Sequence, residues 1–409
     1  MLVMSKRAAA ASATVLSFFA AVALLDSLHY RPLLEGSERY SIKVHSALDF
    51  ILGPLLANDE KTYSAPLATH SFAKETHTES GLRDFPRLRY GGAHLDDLSG
   101  HSKDISVRIL LGILLGGLLT LIIMPLLLLG YRRWPQVAWK TILLTLSLIL
   151  VSASIAYMLA RGYHVLGTDK VGKDVLLQAL KSIRTGILIG TLTTLIMLPV
   201  AIALGILAGY RGGWIDDIIQ YLYTTLNSIP GVLLIAAAVL MVQVMISTHA
   251  DWFTSTAMRA DARLLALCAI LGVTSWTGLC RLLRGETLKL RELEYVQAAR
   301  AFGISHLLIM KRHILPNLMH IVLIALVMDF SGLVLAEAVL SYVGIGVDAT
   351  TNSFGTMING ARLELARTPI VWWPLLAAFV FMFTLVLAAN LLADVVRDAL
   401  DPRHDMRRI

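Results

Sequence analysis

Three groups of residues have types and spacing that could do chemistry. The first is the run from His164 to Asp174, where Gly167, Gly172 and Lys173 fit the opening G-x-x-x-x-G-K of a phosphate-binding loop. Such a loop next needs Ser or Thr to hold magnesium, and the chain has Asp174, whose carboxylate would face the phosphates. No strand pattern precedes the run, so the phosphate reading is rejected. The second group is histidine: His29, His45, His70, His77, His94 and His101 all fall within residues 26–104. No pair among them has the i, i+4 or short-loop spacing of a zinc site, so a solvated loop domain is the expected reading. The third is a pair of carboxylates, Asp329 and Glu337, inside one long apolar run. A carboxylate at the bilayer centre costs about 2.5–3.5 kcal/mol on insertion scales, so each must face protein or water. They line a solute path or bond to a neighbouring helix, and Glu337 also suits an interfacial position near the end of its run. The hydrolase signatures H-E-x-x-H and G-x-S-x-G are absent from the sequence.

The elements that position these residues are membrane spans. The 409 residues are 56% hydrophobic and 16% charged, with a mean hydropathy of +0.67, which describes a polytopic membrane protein. The net charge of +7 sits in short basic loops beside apolar runs, as the positive-inside rule requires, and calls for no nucleic-acid partner. Cys268 and Cys280 are twelve residues apart in one apolar run, about 18 Å along a helix and too far for a disulfide. Eight runs are long enough to span: 8–25, 106–130, 138–160, 183–209, 218–246, 264–283, 318–346 and 371–393. The fifth is too long for one straight crossing, and Pro230-Gly231 should divide it into an amphipathic piece and a span. The first follows Lys6 and Arg7 without a small-residue cleavage site, so it reads as an uncleaved span rather than a signal peptide. Tyr131-Arg132-Arg133-Trp134 with Lys140 marks a cytoplasmic interface, which puts residues 26–104 outside. That stretch is polar and broken by prolines, and only 47–56 is apolar enough for a buried or interfacial helix. Tyr210 to Asp217 reads as a tight cytoplasmic turn, and 248–261 and 348–369 as external loops.

One charged island lies between two apolar runs. It runs Glu294-Tyr-Val-Gln-Ala-Ala-Arg-Ala-Phe-Gly303 and on through His313-Ile-Leu-Pro316-Asn317, among Arg281, Arg284, Lys289, Arg291, Arg300, Lys311 and Arg312. The local chemistry predicts a helix, a left-handed turn at Gly303, a second short helix capped by Ser305, and Pro316 in the first turn of the next span. Ala298 and Ala299 would leave a low-profile knob that another protein's groove could grip. On physics alone an ordinary amphipathic loop fits as well. The spacing Tyr295-Val296, Ala298-Ala299-Arg300, Gly303 and His313 to Asn317 resembles the EAA loop of ABC-transporter permeases, in particular the dipeptide/oligopeptide/nickel group. Glu294-Tyr-Val-Gln-Ala-Ala replaces a literal Glu-Ala-Ala, a spelling usual in the peptide branch. The run at Gly167 resembles that branch's Leu-Gly-Thr-Asp-x-x-Gly-Arg-Asp segment, with Lys173 in place of Arg. The runs Ala336 to Gly346 and Arg397 to Arg403 are similar to the family as well.

The resemblance covers about residues 138–403. It implies an all-α fold: a type I importer transmembrane domain with the six-helix family set, extended here by two N-terminal spans and an external domain. The division is then a span at 1–25, an extracytoplasmic polar domain at 26–104 and two spans in 105–160. An interfacial segment at 161–182, a permease domain at 183–394 with its EAA loop at 291–317, and a cytoplasmic tail at 395–409 complete it. Coupling to an ATPase would fall to Glu294, Tyr295, Ala298, Ala299, Arg300, Gly303, His313, Pro316 and Asn317, while Asp329 and Glu337 are candidates for the translocation path. The same resemblance implies no cofactor on this chain, with ATP and magnesium held by two partner ATPase subunits. It also implies a homologous permease in a heterodimer, an extracytoplasmic solute-binding protein, and a bacterial inner membrane with both termini cytoplasmic. Di- or oligopeptides are the expected solute. Nickel or another small solute is the alternative within the class, and a non-transporting sensor or scaffold built on 26–104 is the alternative outside it.

Overall fold

A computed structural model describes residues 2–31, 44–57, 59–76, 83–253 and 255–400. Its helices, in chain order, are α1 (Leu2–Ser5), α2 (Arg7–Ser27), α3 (Ala47–Ile51), α4 (Gly53–Ala57), α5 (His101–Arg133), α6 (Trp139–Ala160), α7 (Val175–Arg211) and α8 (Gly213–Ser228). They continue as α9 (Gly231–Thr248), α10 (Thr256–Leu290), α11 (Glu294–Ala301), α12 (His306–Ile309), α13 (Leu315–Val343), α14 (Phe354–Ala361) and α15 (Trp373–Leu400). Two antiparallel pairs, β1 (His29–Tyr30) with β2 (His45–Ser46) and β3 (Glu75–Thr76) with β4 (Arg83–Asp84), are the strands. Among the described residues, eight helical stretches are long and apolar enough to cross a bilayer, including a continuous one from His306 to Val343. The fold is therefore an all-α polytopic one. The chain divides into two compact units, Met1–Ile187 with Asn352–Val395 and Leu188–Thr351 with Val396–Ile409.

In the first unit α5 and α6 form a hairpin. A membrane offers no hydrophobic drive for helix pairing, so close backbone approach has to supply the attraction. Gly112 and Gly116, four residues apart, are the buried residues of α5, and a Cβ on either would lie 2.5–2.6 Å from the Cα of Val151 or Ile155 in α6. Residues 59–76 and 83–95 form a small polar layer tied to the segment between α6 and α7. Its apolar floor gathers Tyr63, Val175, Ala179, Met357, Trp373 and Ala377, with Phe72 edge-on to Trp373 at 4.9 Å. Lys181 pairs with Asp49 at 2.6 Å and Arg184 with Asp26 at 3.7 Å, which fastens α3 and α2 to the start of α7.

In the second unit α9, α10 and α13 bury Val239, Leu267, Leu271, Leu333 and Leu340 together. A second cluster joins Tyr223 of α8 to Leu283, Val296, Ala299, Ile309, Ile314 and Leu318. The chain breaks after Ser228 and restarts at Gly231, so Pro230 separates an amphipathic helix from a span.

Three sequence expectations need correction. The helix expected near residue 183 starts at Val175, because Asp174 caps it: the Leu177 amide donates to Asp174 Oδ1 at 3.0 Å. The stretch 348–369 was expected to be a loop but contains α14, started by a reciprocal Ser353–Thr356 capping box and anchored by buried Phe354 and Met357. Ser305 stands at the N-cap of α12 but its side chain makes no capping bond, and the helical chain that starts there does not break before Pro316. It runs through a π-helical turn, Met310–Ile314, straight into α13. Pro316 lacks an amide hydrogen and crowds the carbonyl one turn back, and a wider turn relieves both problems. His77 and the segment from Asp401 to Arg403 lie outside the described residues.

Candidate functional site

The charged island is built on the end of α10. Arg284 grips Asp216 of α8 with two parallel bonds, Nε to Oδ1 at 2.6 Å and Nη2 to Oδ2 at 2.7 Å. Arg291, one residue past α10, donates to the Gly209 carbonyl of α7 at 3.2 Å and pairs with Glu292. The chain then turns into α11. Its inner face is Val296 and Ala299, 2% and 6% exposed, set on Ile309, Ile314 and Leu318. The two alanines thus part company: Ala299 is inside and Ala298 outside, and the expected two-alanine knob is a single exposed methyl. A 3.6-residue period cannot put adjacent residues on one face.

Gly303 has φ +76°, and a Cβ there would meet nothing within 4 Å. The turn therefore requires glycine for its backbone conformation and not for space. The amide of Gly303 donates to Arg300 O at 3.1 Å and that of Ile304 to Ala299 O at 3.1 Å, which closes the carbonyl end of α11. Three of the predicted residues meet beyond the turn. Asn317 Nδ2 donates to the Tyr295 hydroxyl at 3.1 Å and to the His313 carbonyl at 2.6 Å, and the Tyr295 and His313 rings lie 6.2 Å apart. Glu294 and Arg300 stand exposed at the first and last turns of α11, as the helix dipole favours, and Pro316 is exposed. Tyr210 at the end of α7 reaches His306 Nδ1 at 2.9 Å. Sequence reasoning missed Phe302 and Leu307. They are 86% and 77% exposed, with Leu293 and Tyr295 also on the surface, so the island carries an uncovered apolar tip. Their apolar type inside a charged run was the available signal.

The two carboxylates of α13 have different surroundings. Glu337 is 1% exposed and accepts from Ser341 Oγ at 2.6 Å, while Ser341 Oγ in turn accepts from the Val347 amide at 3.2 Å. It thereby holds the turn that ends α13 at left-handed Gly344. Asp329, near the middle of the helix, is half-buried.

The run at Gly167 is closed against phosphate. Asp169 Oδ1 accepts the amides of Val171 and Lys173 at 2.9 and 3.0 Å, so the chain's own carboxylate fills the nest that an anion would need. Next to it is a buried ionic centre. His164 Nδ1 lies 2.8 Å from Asp174 Oδ2, and its Nε2 lies 3.6 Å from Glu60 Oε1, an ion-pair distance rather than a hydrogen bond. All three residues are 6% exposed or less. Glu60 also accepts the amides of Tyr90 at 2.9 Å, Arg89 at 3.0 Å and Gly91 at 3.4 Å. Burial pushes the Glu60 carboxyl up, but His164 and these amides outweigh it and hold the pKa at about 2. Burial likewise disfavours the imidazolium, and the two carboxylates overcome it, Asp174 foremost, raising His164 to about 9. Gly172, at φ +81°, passes so close to Glu60 that a Cβ would overlap the Glu60 carbonyl. Of the other histidines, His94 and His101 pack on Tyr163, with ring centroids 5.5 and 5.3 Å away.

Eight helical stretches among the described residues that are long and apolar enough to cross a bilayer, with a braced loop that carries an apolar tip, define a multi-pass membrane protein. Residues 201–405 match the family described as the inner membrane component of binding-protein-dependent transport systems, and the chain belongs to that family. It is 32% identical over 239 residues to the oligopeptide transport system permease protein OppC of Mycobacterium tuberculosis (strain ATCC 25618 / H37Rv), covering 58% of this chain and 76% of that protein. It is 33% identical over 241 residues to the glutathione transport system permease protein GsiD of Pectobacterium atrosepticum, covering 59% and 73%. With the dipeptide transport system permease protein DppC of Bacillus subtilis the identity is 28% over 240 residues, covering 59% and 69%. The chain is a permease subunit.

Proposed function

We propose that this permease forms half of the pathway of an ATP-driven importer of di- or oligopeptides, and that residues 294–317 dock on the ATPase that drives it. The solute reading is supported by relatives whose names specify oligopeptides, a dipeptide and glutathione. The docking reading is carried by one observation: Phe302 is 86% exposed at the tip of an element whose other face is packed on α8, α10 and α13. An exposed aromatic on a rigid base is what a protein partner buries. The same base makes the loop a lever: His306 of α12 is bonded to Tyr210 of α7, Arg291 just before α11 is bonded to the Gly209 carbonyl of α7, and α12 continues into α13 as one helical stretch. Transport is then a shift between inward- and outward-facing packings, biased by the partner's nucleotide cycle.

A homologous permease, two ATPase subunits and an extracytoplasmic binding protein complete the assembly. The excess of basic residues in these loops favours a cytoplasmic position in a bacterial cell for both termini and the 294–317 loop, and an external one for the layer at 59–76 and 83–95. The test is Phe302→Asp in the full transporter. ATPase subunits should no longer co-purify, while membrane insertion and the thermal midpoint stay unchanged because the side chain touches little of its own chain. Intact co-purification and full peptide uptake in that variant would remove the docking role.

A further inference from the structure

We propose that the cleft where α2, α5 and α6 meet is a binding site for an anionic phospholipid. Arg7, Trp139 and Lys140 line it at the helix ends, and Met124, Leu128 and Leu144 line it one to three turns further in. Its volume is about 750 Å³ and its walls are almost wholly apolar, within the range of about 300–1,000 Å³ that small ligands occupy. From Met124 to Tyr131 it follows α5 for about 10 Å, roughly the upper third of a hydrocarbon core about 30 Å thick. The cleft is thus open where acyl chains lie and charged where headgroups lie.

The charge cannot be answered from within these helices. Residues 1–25 and 105–168 contain no Asp or Glu, yet Lys6, Arg7, Arg132, Arg133 and Lys140 gather at this end of α2 and of the hairpin. Arg7 and Lys140 are exposed and make no ion pair among the described residues. α2 and α6 both begin here, and neither start has a side-chain cap. The positive ends of both helix dipoles add to the potential of the cations. The cleft is also held in shape. Ala138 N donates to Met4 O at 3.0 Å, Trp139 Nε1 donates to Trp134 O at 2.9 Å, and Gly130 leaves room for the Trp139 ring, which a Cβ there would strike at 2.4 Å. A topogenic role accounts for basic residues in the loop, but it needs no preformed apolar cleft between them. A diacyl lipid with a phosphodiester headgroup satisfies both halves at once, with phosphate between Arg7 and Lys140 and a chain along Leu128 and Leu144. The site lies outside the family match at 201–405.

The experiment is native mass spectrometry of the full-length chain in its assembled transporter, with dioleoyl phosphatidylglycerol or dioleoyl phosphatidylcholine added to the detergent. The wild type should retain the anionic lipid, with a preference of roughly tenfold to a hundredfold from two headgroup-level cations. Arg7→Gln with Lys140→Gln should abolish the preference, while Lys6, Arg132 and Arg133 keep the orientation. Leu128→Trp, which fills the cleft and leaves every charge in place, should lower retention of the lipid on its own. Equal retention of the two lipids by the wild type, or an unaltered preference in either variant, overturns the proposal. So does retention by the isolated chain but not by the assembled transporter, because a neighbouring protein helix would then occupy the cleft.

Discussion

At the residue scale, the His164 centre carries a pH signature. A histidine raised from 6.5 to about 9 on folding contributes stability in full below about pH 6.5 and loses it as pH rises through about 9. Glu60, lowered from 4.5 to about 2, contributes in full above about pH 4.5 and loses it as pH falls through about 2. The centre is therefore complete between about pH 4.5 and 6.5. The thermal midpoint of the detergent-solubilised protein should fall between pH 6.5 and 9.5, and His164→Gln should flatten that fall. An equally steep decline in the variant would place the sensitivity elsewhere. The other single-residue prediction concerns Gly303. Ala there meets open space but must hold φ +76°, at a cost of about 1–2 kcal/mol, so Gly303→Ala should lower uptake only partly. Pro cannot take that conformation and also deletes the amide bonded to Arg300 O, so Gly303→Pro should uncouple ATP hydrolysis from uptake while membrane insertion persists. Unchanged uptake in the proline variant would exclude a lever at this turn.

Elements respond through their braces. The Arg284–Asp216 fork is the charged tie between α10 and α8, beside the Thr277–Asn227 bond, and both of its groups are largely enclosed. Asp216→Asn leaves the guanidinium without its charge partner, at about 1.5–3 kcal/mol for a bond to a charged group. Hydrogen exchange should then quicken in α8 and α11 and stay constant in the α5–α6 hairpin. In the hairpin, adhesion depends on glycine. Gly116→Leu drives a side chain into the Val151 backbone, so α5 and α6 should separate. A cysteine pair across their contact, efficiently cross-linked in the wild-type background, should then fail to form. Efficient cross-linking in the leucine variant would show that other contacts hold the hairpin.

At the scale of the whole molecule the prediction is topological. With native Cys268 and Cys280 both buried, an added cysteine is the reactive one. Ser99→Cys should react with an impermeant thiol reagent in intact cells, and Phe302→Cys only after permeabilisation. The reverse pattern would invert the orientation and remove the proposed docking. The extra layer at 59–76 and 83–95 is joined to the segment before α7 by the Glu60–His164 pair and by a Glu60 N to Gly172 O bond of 3.0 Å. The layer is therefore mechanically continuous with the start of α7.

Span positions, the break at Pro230 and the glycine turn were legible from the sequence because hydropathy, helix length and backbone freedom are properties of a few consecutive residues. The basic loops were legible for the same reason. The division of Ala298 from Ala299, the fusion of α12 with α13 through a π turn, and the capture of Glu337 by Ser341 required the packed structure. In each case a neighbouring element decides which face is inside or which bond is made. His164 makes the point most clearly. Its spacing to Asp174 was in plain view, but Glu60 comes from more than a hundred residues away. Only the folded chain puts that charge at 3.6 Å, and only burial makes it strong.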